Sequence, residues 1–198
     1  KGEGITPELM SSYLRTRRSI RQFTTRPVPR DLITALLDNA RYAASGGNGQ
    51  PVEWLVIHDP AEVQQVASLT IGWMKTLLGT DHPMSGYVPS LIAGWEAGVD
   101  VICRNAPHLI IPHIPKNHPV ASVDAIIALT HVDLAAPAYG VGACWAGFVA
   151  GASWSHPPLI DWLGLPEGRS VAYALMLGYP KYTPSFIPDR KPLVVTWK

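Results

Sequence analysis

Cysteine is scarce in this sequence. Cys103 and Cys144 are the only 2 among 198 residues, and they stand far apart, outside any CxxC or Cys/His ligand spacing. That usage is typical of a reducing compartment, and it argues against a disulfide scaffold and against a zinc site. We therefore expect a cytoplasmic protein that holds no metal ion.

Charge is also sparse, since charged residues make up 16% of the chain and the formal net charge is +1. This balance gives no global attraction to nucleic acid, so we expect no nucleic-acid partner. The least polar stretch, residues 141–154, is too short and too rich in glycine and alanine to cross a bilayer, and no signal-peptide pattern opens the chain. We expect no membrane association. A hydrophobic content of 47% suits one domain, residues 1–198.

Positive charge is concentrated in one short segment, where 4 arginines fall within 7 residues starting at Arg15. If the segment is extended, Arg17, Ser19 and Arg21 project to one side. Arg18 then projects to the other side. Two guanidinium groups with a hydroxyl between them suit a phosphate group, which accepts bidentate hydrogen bonds. An exposed basic loop after a helix explains the segment equally well.

Hydrophobic periodicity and capping residues predict the main elements. The first predicted helix begins at Thr6-Pro7. The others span residues 32–44, 60–69, 88–97, 122–139 and 159–163. The predicted strands are residues 54–58, 108–113, 170–179 and 193–197. The helix over 122–139 is apolar nearly all round, so it must lie in a core or a subunit interface, and Gly140 supplies its C-terminal stop. His108 and His113 lack the spacing of a helical metal pair, so we expect each to be hydrogen-bonded or solvent-facing.

Residues 70–99 are interpreted as an excursion, because glycine and proline recur there and only residues 88–97 look helical. An insertion of this kind can cover a site as a lid. Simple packing is the alternative role for its tryptophans, Trp73 and Trp95.

Two glycine-rich segments follow helical patterns. Residues 45–51, SGGNGQP, predict a tight loop whose backbone can approach a ligand closely. Residues 140–147, GVGACWAG, begin like a dinucleotide-binding fingerprint. We reject that interpretation because Trp145 stands where the third glycine belongs, and because the segment follows a helix instead of a strand. Backbone N–H groups facing a flat ligand and tight packing against the long helix remain equal alternatives.

Four motifs, in this order, resemble the nitroreductase family of FMN-dependent oxidoreductases. They are RRSIRQF at 17–23, ASGGNGQP at 44–51, GVGACWAG at 140–147 and RKPL at 190–193. The resemblance implies an α+β fold with a mixed sheet flanked by helices. It also implies an intertwined homodimer, in which residues 180–198 form a C-terminal arm that adds a strand to the partner's sheet.

The resemblance assigns eleven residues to FMN: Arg17, Arg18, Ser19, Arg21, Ser45, Gly46, Asn48, Trp145, Ala146, Gly147 and Arg190. By the family pattern Arg17, Ser19 and Arg190 hold the phosphate, and Arg18 lies near its backbone. Arg21 lies by the N1/C2 edge of the flavin, where a cation stabilises the negative charge added on reduction.

Two further groups of residues complete the implied site. Ser45, Gly46 and Asn48 reach the flavin from the other subunit. Ala146 and Gly147 present backbone N–H groups to the N5/O4 edge. Residues 70–99 offer no secure counterpart of the polar residues that usually contact the flavin in this family.

The resemblance implies an enzyme that passes two electrons from NAD(P)H, through FMN, to a small acceptor such as a nitroaromatic or a quinone. No side chain acts as nucleophile or metal ligand, because the cofactor carries the chemistry. One alternative is a flavin domain reduced by an iron–sulfur partner. Residues 95–108 resemble a branch that often carries an iron–sulfur domain ahead of the flavin domain, and a chain starting at Lys1 is compatible with that. The other alternative is a non-catalytic flavin-binding sensor or storage protein.

Overall fold

The computed structural model describes residues 4–198, so Lys1 lies outside the described residues. The α-helices of the described part are α1 (Pro7–Thr16), α2 (Arg30–Ala40), α3 (Pro60–Thr76), α4 (Val88–Glu96), α5 (Ala121–Ala135), α6 (Gly147–Ser155) and α7 (Pro157–Leu163). Its strands are β1 (Glu53–Ile57), β2 (His108–Pro115), β3 (Gly142–Trp145), β4 (Arg169–Val171) and β5 (Leu175–Gly178). Short 3₁₀ turns form at Gly46–Asn48 and Ala136–Tyr139.

The strands form one sheet in the order β1-β2-β5-β3, and β4 also pairs with β2. All of these pairings are antiparallel. A parallel bridge between Ser19 and Ala143 places the arginine-rich segment beside the edge strand β3. The predicted α+β fold with a mixed sheet and flanking helices is therefore confirmed.

Helices cover both faces of the sheet. Side chains along β2 alternate between two cores, because Leu109 and Ile111 point to one face and Ile110 to the other. Helices α3, α6 and α7 pack on the first face, and α2 and α5 pack on the second. Strand β2 is buried along nearly its whole length, which explains why all its residues except the two histidines are apolar.

The long helix predicted at 122–139 is confirmed with a change at its end. Helix α5 runs over Ala121–Ala135 and continues as the 3₁₀ turn Ala136–Tyr139. Gly140 then adopts φ 72°, a left-handed conformation that glycine favours, and stops the helix as predicted. The stretch Ala121–Tyr139 is long and apolar enough to cross a membrane by length and composition, and 44% of it is buried inside the fold. A core helix passes the same test.

The predicted excursion over residues 70–99 is wrong at its start. Helix α3 continues through this point to Thr76, and Ile71, Trp73 and Met74 are buried in the core. The low helix propensity of Gly72 misled the prediction, because tertiary packing outweighs a penalty of about 1 kcal/mol. Trp73 packs so closely on α6 that a Cβ at Gly151 would lie 2.8 Å from its ring. The packing role of Trp73 is thereby confirmed.

The predicted strand over residues 170–179 is two strands. Strand β4 ends at Val171 and β5 begins at Leu175, so Tyr173 lies in a break between them. The predicted strand at 193–197 does not form in the single chain, where Leu193 is 88% exposed and Trp197 is 89% exposed.

Both histidines of β2 are hydrogen-bonded, as predicted. The Nε2 of His108 accepts from the Val28 N–H at 2.8 Å, and its Nδ1 lies 2.9 Å from the carbonyl oxygen of His58. The two imidazole rings of His58 and His108 stack with centroids 4.3 Å apart. His113 accepts from the Nε of Arg169 at 3.0 Å.

Candidate functional site

The arginine-rich segment is extended and fixed to the sheet by its backbone. The Ile20 N–H donates to the carbonyl of Ala143 at 2.9 Å, and the Thr24 N–H donates to the carbonyl of Tyr179 at 2.9 Å. Ile20 packs inward so closely that a Cβ at Gly142 would lie 2.8 Å from its own Cβ. Gly142 is therefore required for this approach. Ser19 and Arg21 line one cavity, as the predicted alternation implies, but Arg18 and Gln22, which that alternation places on the opposite side, line the same cavity.

Arg17 meets a buried carboxylate that the sequence analysis did not single out. Its Nη1 lies 3.3 Å from the Oδ2 of Asp133, and the Nε1 of Trp145 donates to the same oxygen at 3.0 Å. Asp133 belongs to α5 and is 5% exposed. The contact with Arg17 lacks hydrogen-bond geometry, since Nη1 has no hydrogen-bond partner in the described part of the chain. This donor is buried and faces the Asp133 carboxylate, so in the single chain it is not open to a ligand.

Arg18 holds backbone carbonyls. Its Nη1 donates to the carbonyls of Arg15 and Arg17 at 2.7 Å, and its Nη2 donates to the carbonyl of Phe186 at 2.7 Å. The guanidinium therefore ties the C-terminal tail to the arginine-rich segment. These bonds use three of the five guanidinium N–H donors, so the expected contribution of Arg18 to FMN stays a prediction.

A cavity of about 460 Å³ lies between the arginine-rich segment and the tail, and we call it the tail cavity. It is lined by Arg18, Ser19, Ile20, Arg21, Gln22, Tyr182, Thr183, Pro184, Ser185, Phe186 and Pro188. Arg190 is exposed and donates to the carbonyl of Asp189 at 3.2 Å. Arg190 is thus not brought to the wall of this cavity, although the tail returns to the segment at Phe186.

A second cavity of about 460 Å³ lies at the end of β3, and we call it the arginine cavity. Its lining residues are Arg21, Met84, Val101, Ile102, Arg104, Cys144, Trp145, Ala146, Gly147, Phe148, Tyr173 and Met176. Arg21 lines both cavities, so it stands where they meet. The walls are mostly apolar and aromatic, which suits a flat ring.

The two backbone N–H groups predicted at the flavin differ in availability. The Ala146 N–H donates to the carbonyl of Ala174 at 2.8 Å, so it is engaged within the sheet region. Gly147 is the first residue of α6, where N–H groups have no intrahelical partner, and Ala146 supplies no side-chain cap. The prediction for Ala146 therefore differs from the structure, and Gly147 remains the available donor.

The loop with Ser45, Gly46 and Asn48 lies elsewhere in the chain. The Gly46 N–H donates to the Oδ1 of Asp124 at 3.0 Å, which holds the loop against the start of α5. Ser45 lines a separate, smaller cavity of about 120 Å³. Neither the tail cavity nor the arginine cavity includes any of the three residues. Within one protomer they are not brought to Arg21.

Two thiols and their surroundings bear on the chemistry. Burial raises the pKa of Cys144, although Arg21 and Arg104 nearby act to lower it. Burial likewise raises the pKa of Cys103 well above its usual value. Both thiols are therefore held protonated, which makes them poor nucleophiles. Residues 4–198 contain no group of three or more His, Cys, Asp or Glu side chains placed to hold a metal ion.

Sequence reasoning missed Asp133 and Arg104. A carboxylate in a mostly apolar helix is a signal for a buried partner, and Asp133 carried that signal, as did Asp124 on the same helix. No sequence signal marked Arg104, because its position depends on a left-handed backbone turn at Arg104 and Asn105.

The fold and the cavities define an α+β protein with a cationic, apolar-walled site at the edge of its sheet. Residues 14–179 match the nitroreductase family. The chain belongs to that family.

Similar proteins cover nearly the whole chain. An Archaeoglobus fulgidus protein provisionally named NADH dehydrogenase/NAD(P)H nitroreductase is 29% identical over 168 residues, which are 84% of this chain and 82% of that protein. A nitroreductase with bound FMN from Desulfitobacterium hafniense has a TM-score of 0.76 at 23% identity, covering 98% of this chain and 100% of that one. A nitroreductase with bound FMN from Bacteroides fragilis has a TM-score of 0.74 at 19% identity, covering 98% of each chain.

Proposed function

We propose that this protein binds FMN and uses it to carry two electrons from NAD(P)H to a small organic acceptor. The observation that carries the proposal is the pair of cavities that meet at Arg21, one beside the arginine-rich segment and one with apolar walls. FMN has two matching parts, a chain that bears a phosphate and a flat ring. Membership of the nitroreductase family supports the same cofactor and reaction.

The residues present fit FMN. At the phosphate end, Ser19 adds a hydroxyl to the wall of the tail cavity, and the Arg17 side chain, which is 29% exposed, lies two residues earlier in the same extended segment. At the ring end, Trp145, Phe148 and Met176 supply apolar walls. FMN, when bound, supplies the redox chemistry by accepting two electrons and passing them on.

Each end of the site has a defined task. Arg17 and Ser19 bind the phosphate, because charge-assisted hydrogen bonds to an anion are the strong ones. Arg21 places a positive charge where negative charge develops on the ring, and the apolar walls exclude the water that would screen it. The Gly147 N–H adds a donor at the ring edge. Arg190 joins the phosphate site when the tail docks. No side chain is assigned as nucleophile or metal ligand.

We further propose a homodimer that completes the site. Helix α1 buries none of its residues, and Leu9 is 64% exposed. Val123 on α5 is 59% exposed, and Trp197 in the tail is 89% exposed. A second copy would cover these apolar surfaces. The loop containing Ser45 adjoins the start of α5, so it would accompany that helix into the interface and reach the partner's ring.

The test is direct. The purified protein should be yellow, or become yellow on reconstitution with FMN, with one FMN per chain. NAD(P)H should bleach the colour under anaerobic conditions, and a nitroaromatic or quinone should restore it. A protein that stays colourless after reconstitution contradicts the proposal. Bleaching by a reduced iron–sulfur protein alone would identify the other donor, and bleaching by neither would leave a sensor or storage protein.

A further inference from the structure

The turn between α4 and β2 holds two consecutive residues in a left-handed backbone conformation. Arg104 has φ 59° and Asn105 has φ 52°. Such angles are uncommon for residues other than glycine, and two in succession require support from the surrounding structure. They therefore raise the question of what the turn achieves.

Asp100 supplies that support. Its Oδ1 accepts from the N–H groups of Ile102 and Cys103 at 3.0 Å and 2.8 Å, and its Oδ2 accepts from the Asn105 N–H at 2.8 Å. Gln64 adds a fourth hydrogen bond to Oδ2 at 2.9 Å. The carboxylate is 6% exposed. The turn is thus held by backbone contacts to one buried side chain, and the Arg104 side chain takes no part in holding it.

The result is an arginine presented to the arginine cavity. Arg104 is exposed while its neighbours Cys103 and Ala106 are buried. Among the hydrogen bonds and ion pairs of residues 4–198, none involves the Arg104 guanidinium. Arg104 lines the arginine cavity, and its charge, like that of Arg21, acts to lower the pKa of Cys144 at the cavity wall.

The charge of this cavity is one-sided. Two arginines line it, and no Asp or Glu does. Two carboxylates lie behind its walls. Asp133 accepts from Trp145, faces Arg17 and acts to raise the pKa of Cys144, and Asp100 is engaged by backbone N–H groups of the turn and by Gln64. The remaining walls are aromatic or aliphatic, apart from the tyrosine hydroxyl, the Cys144 thiol and backbone. An occupant that satisfies all these surfaces is a flat ring bearing an anionic group.

The proposed function leaves Arg104 as the uncommitted cation. Arg21 stands at the junction with the tail cavity and serves the flavin edge. Arg104 lines the arginine cavity from a different segment of the chain, which also contributes Val101 and Ile102. In the proposed function NAD(P)H reduces FMN, and the molecule that enters the site next is the acceptor.

We infer that Arg104 determines specificity by selecting aromatic acceptors that carry a carboxylate. This inference rests on the proposed function, and it names the substrate class of the same site. Arginine suits the task because its planar fork binds a carboxylate through two parallel hydrogen bonds.

The test compares two acceptors of the same shape, para-nitrobenzoate and para-nitrobenzamide, which differ in charge. In the reaction NAD(P)H loses two electrons, and the nitro group takes them with two protons, releases one oxygen as water and becomes nitroso. The wild type should favour the carboxylate. Arg104→Ala should lower kcat/KM for para-nitrobenzoate about tenfold or more, because a hydrogen bond to a charged group is lost. For para-nitrobenzamide it should change kcat/KM less than about twofold.

Two further variants sharpen the result. Arg104→Lys keeps the charge without the fork, so it should retain part of the preference. Arg30→Ala removes the same charge from the start of α2, outside the arginine cavity, and should leave the preference unchanged.

A binding measurement makes the test independent of turnover. Titration of the oxidised, FMN-loaded protein with benzoate and benzamide, followed by the flavin absorbance, should show tighter binding of benzoate. Arg104→Ala should abolish that difference while FMN affinity stays unchanged. Equal losses for both ligands, or a loss of FMN affinity, would overturn the inference. A KM raised for NADPH but not for NADH would instead show that Arg104 binds the electron donor.

The two proposals fail in different ways. If the wild type holds no FMN, the proposed function fails. If it holds FMN and reduces para-nitrobenzamide, but Arg104→Ala leaves the carboxylate preference intact, only the specificity inference fails.

Discussion

The indole of Trp145 donates a 3.0 Å hydrogen bond to Asp133, whose same oxygen faces Arg17 at 3.3 Å. One buried carboxylate on α5 thus connects the arginine-rich segment to the end of β3. In the proposed function these are the phosphate end and the ring end of the site. Asp133 is therefore a positioning residue for both.

We predict that Asp133→Ala destabilises the fold by about 1–3 kcal/mol, because it leaves a partly buried indole N–H unpaired and removes the counter-charge of Arg17. Urea denaturation monitored by circular dichroism measures this change. Asp81→Ala is the matched control, since Asp81 is exposed. Equal unfolding midpoints for both variants would refute the connecting role.

Arg190→Ala should weaken FMN binding by about one to two powers of ten while leaving the unfolding midpoint unchanged. A hydrogen bond to a charged group contributes roughly 1.5–3 kcal/mol, which sets that range. Fluorescence titration of the apoprotein with FMN gives the affinity. Lys191→Ala is the control for loss of positive charge at the tail. If Arg190→Ala keeps wild-type FMN affinity, Arg190 has no role in the site. Its exposed position in the single chain would then describe its state in the dimer as well.

Arg21→Ala should lower the flavin midpoint potential and slow reduction, yet cost less FMN affinity than Arg190→Ala does. The charge of Arg21 should stabilise the reduced state more than the oxidised one, and an interaction equal in both states would leave the potential alone. A spectroelectrochemical titration measures the potential. An unchanged potential together with much weaker FMN binding would show that Arg21 binds the phosphate and not the ring edge.

Truncation after Arg190 should loosen the dimer and release FMN together. It removes Leu193 and Val194, which are 88% and 89% exposed in the single chain and which the proposed dimer would cover. Light scattering coupled to size exclusion gives the mass, and the absorbance of the eluted peak gives the FMN content. A monomeric mass for the intact protein with FMN bound would contradict the proposed role of the C-terminal arm in holding the dimer.

Acid should destabilise the protein through His108. Burial first, and the neighbouring His58 second, lower the pKa of His108 from 6.5 to about 4. Between these values the unfolded state binds more protons, so the free energy of unfolding falls as pH falls from 6.5 to about 4 and then levels off. The loss reaches at most about 3 kcal/mol. Urea denaturation across this range checks it, and His108→Gln should flatten the curve. An unchanged slope in that variant would assign the acid sensitivity to other groups.

Local patterns accounted for much of the fold. The apolar run of β2, the N-cap Thr6 and the stop at Gly140 are signals contained in a few adjacent residues, and each was confirmed. The prediction failed at Gly72, because helix α3 is continued by contacts with α6 that lie far away in sequence. It failed again at Tyr173, where the strand breaks and the backbone of Ala174 turns to pair with Ala146.

The site was predicted in part for the same reason. The arginine-rich segment and the end of β3 contain recognisable motifs, and the structure brings Arg21 and Trp145 to one cavity. Asp133 and Arg104 escaped because their roles arise from pairing across the fold and from a left-handed turn. The hydrogen bonds of Arg18 to three backbone carbonyls were not predicted either, and its contribution to FMN stays a prediction.

The backbone of the arginine-rich segment is joined to the sheet on both sides of Arg21, through Ile20 to Ala143 and through Thr24 to Tyr179. These bonds involve no atom of a cofactor. The apoprotein therefore keeps its anion-binding groups arranged on a rigid frame, and it need not refold to accept a new cofactor molecule. In the proposed dimer we expect reloading to be governed by diffusion of FMN and by docking of the tail, which would make exchange for a chemically altered flavin practicable under native conditions.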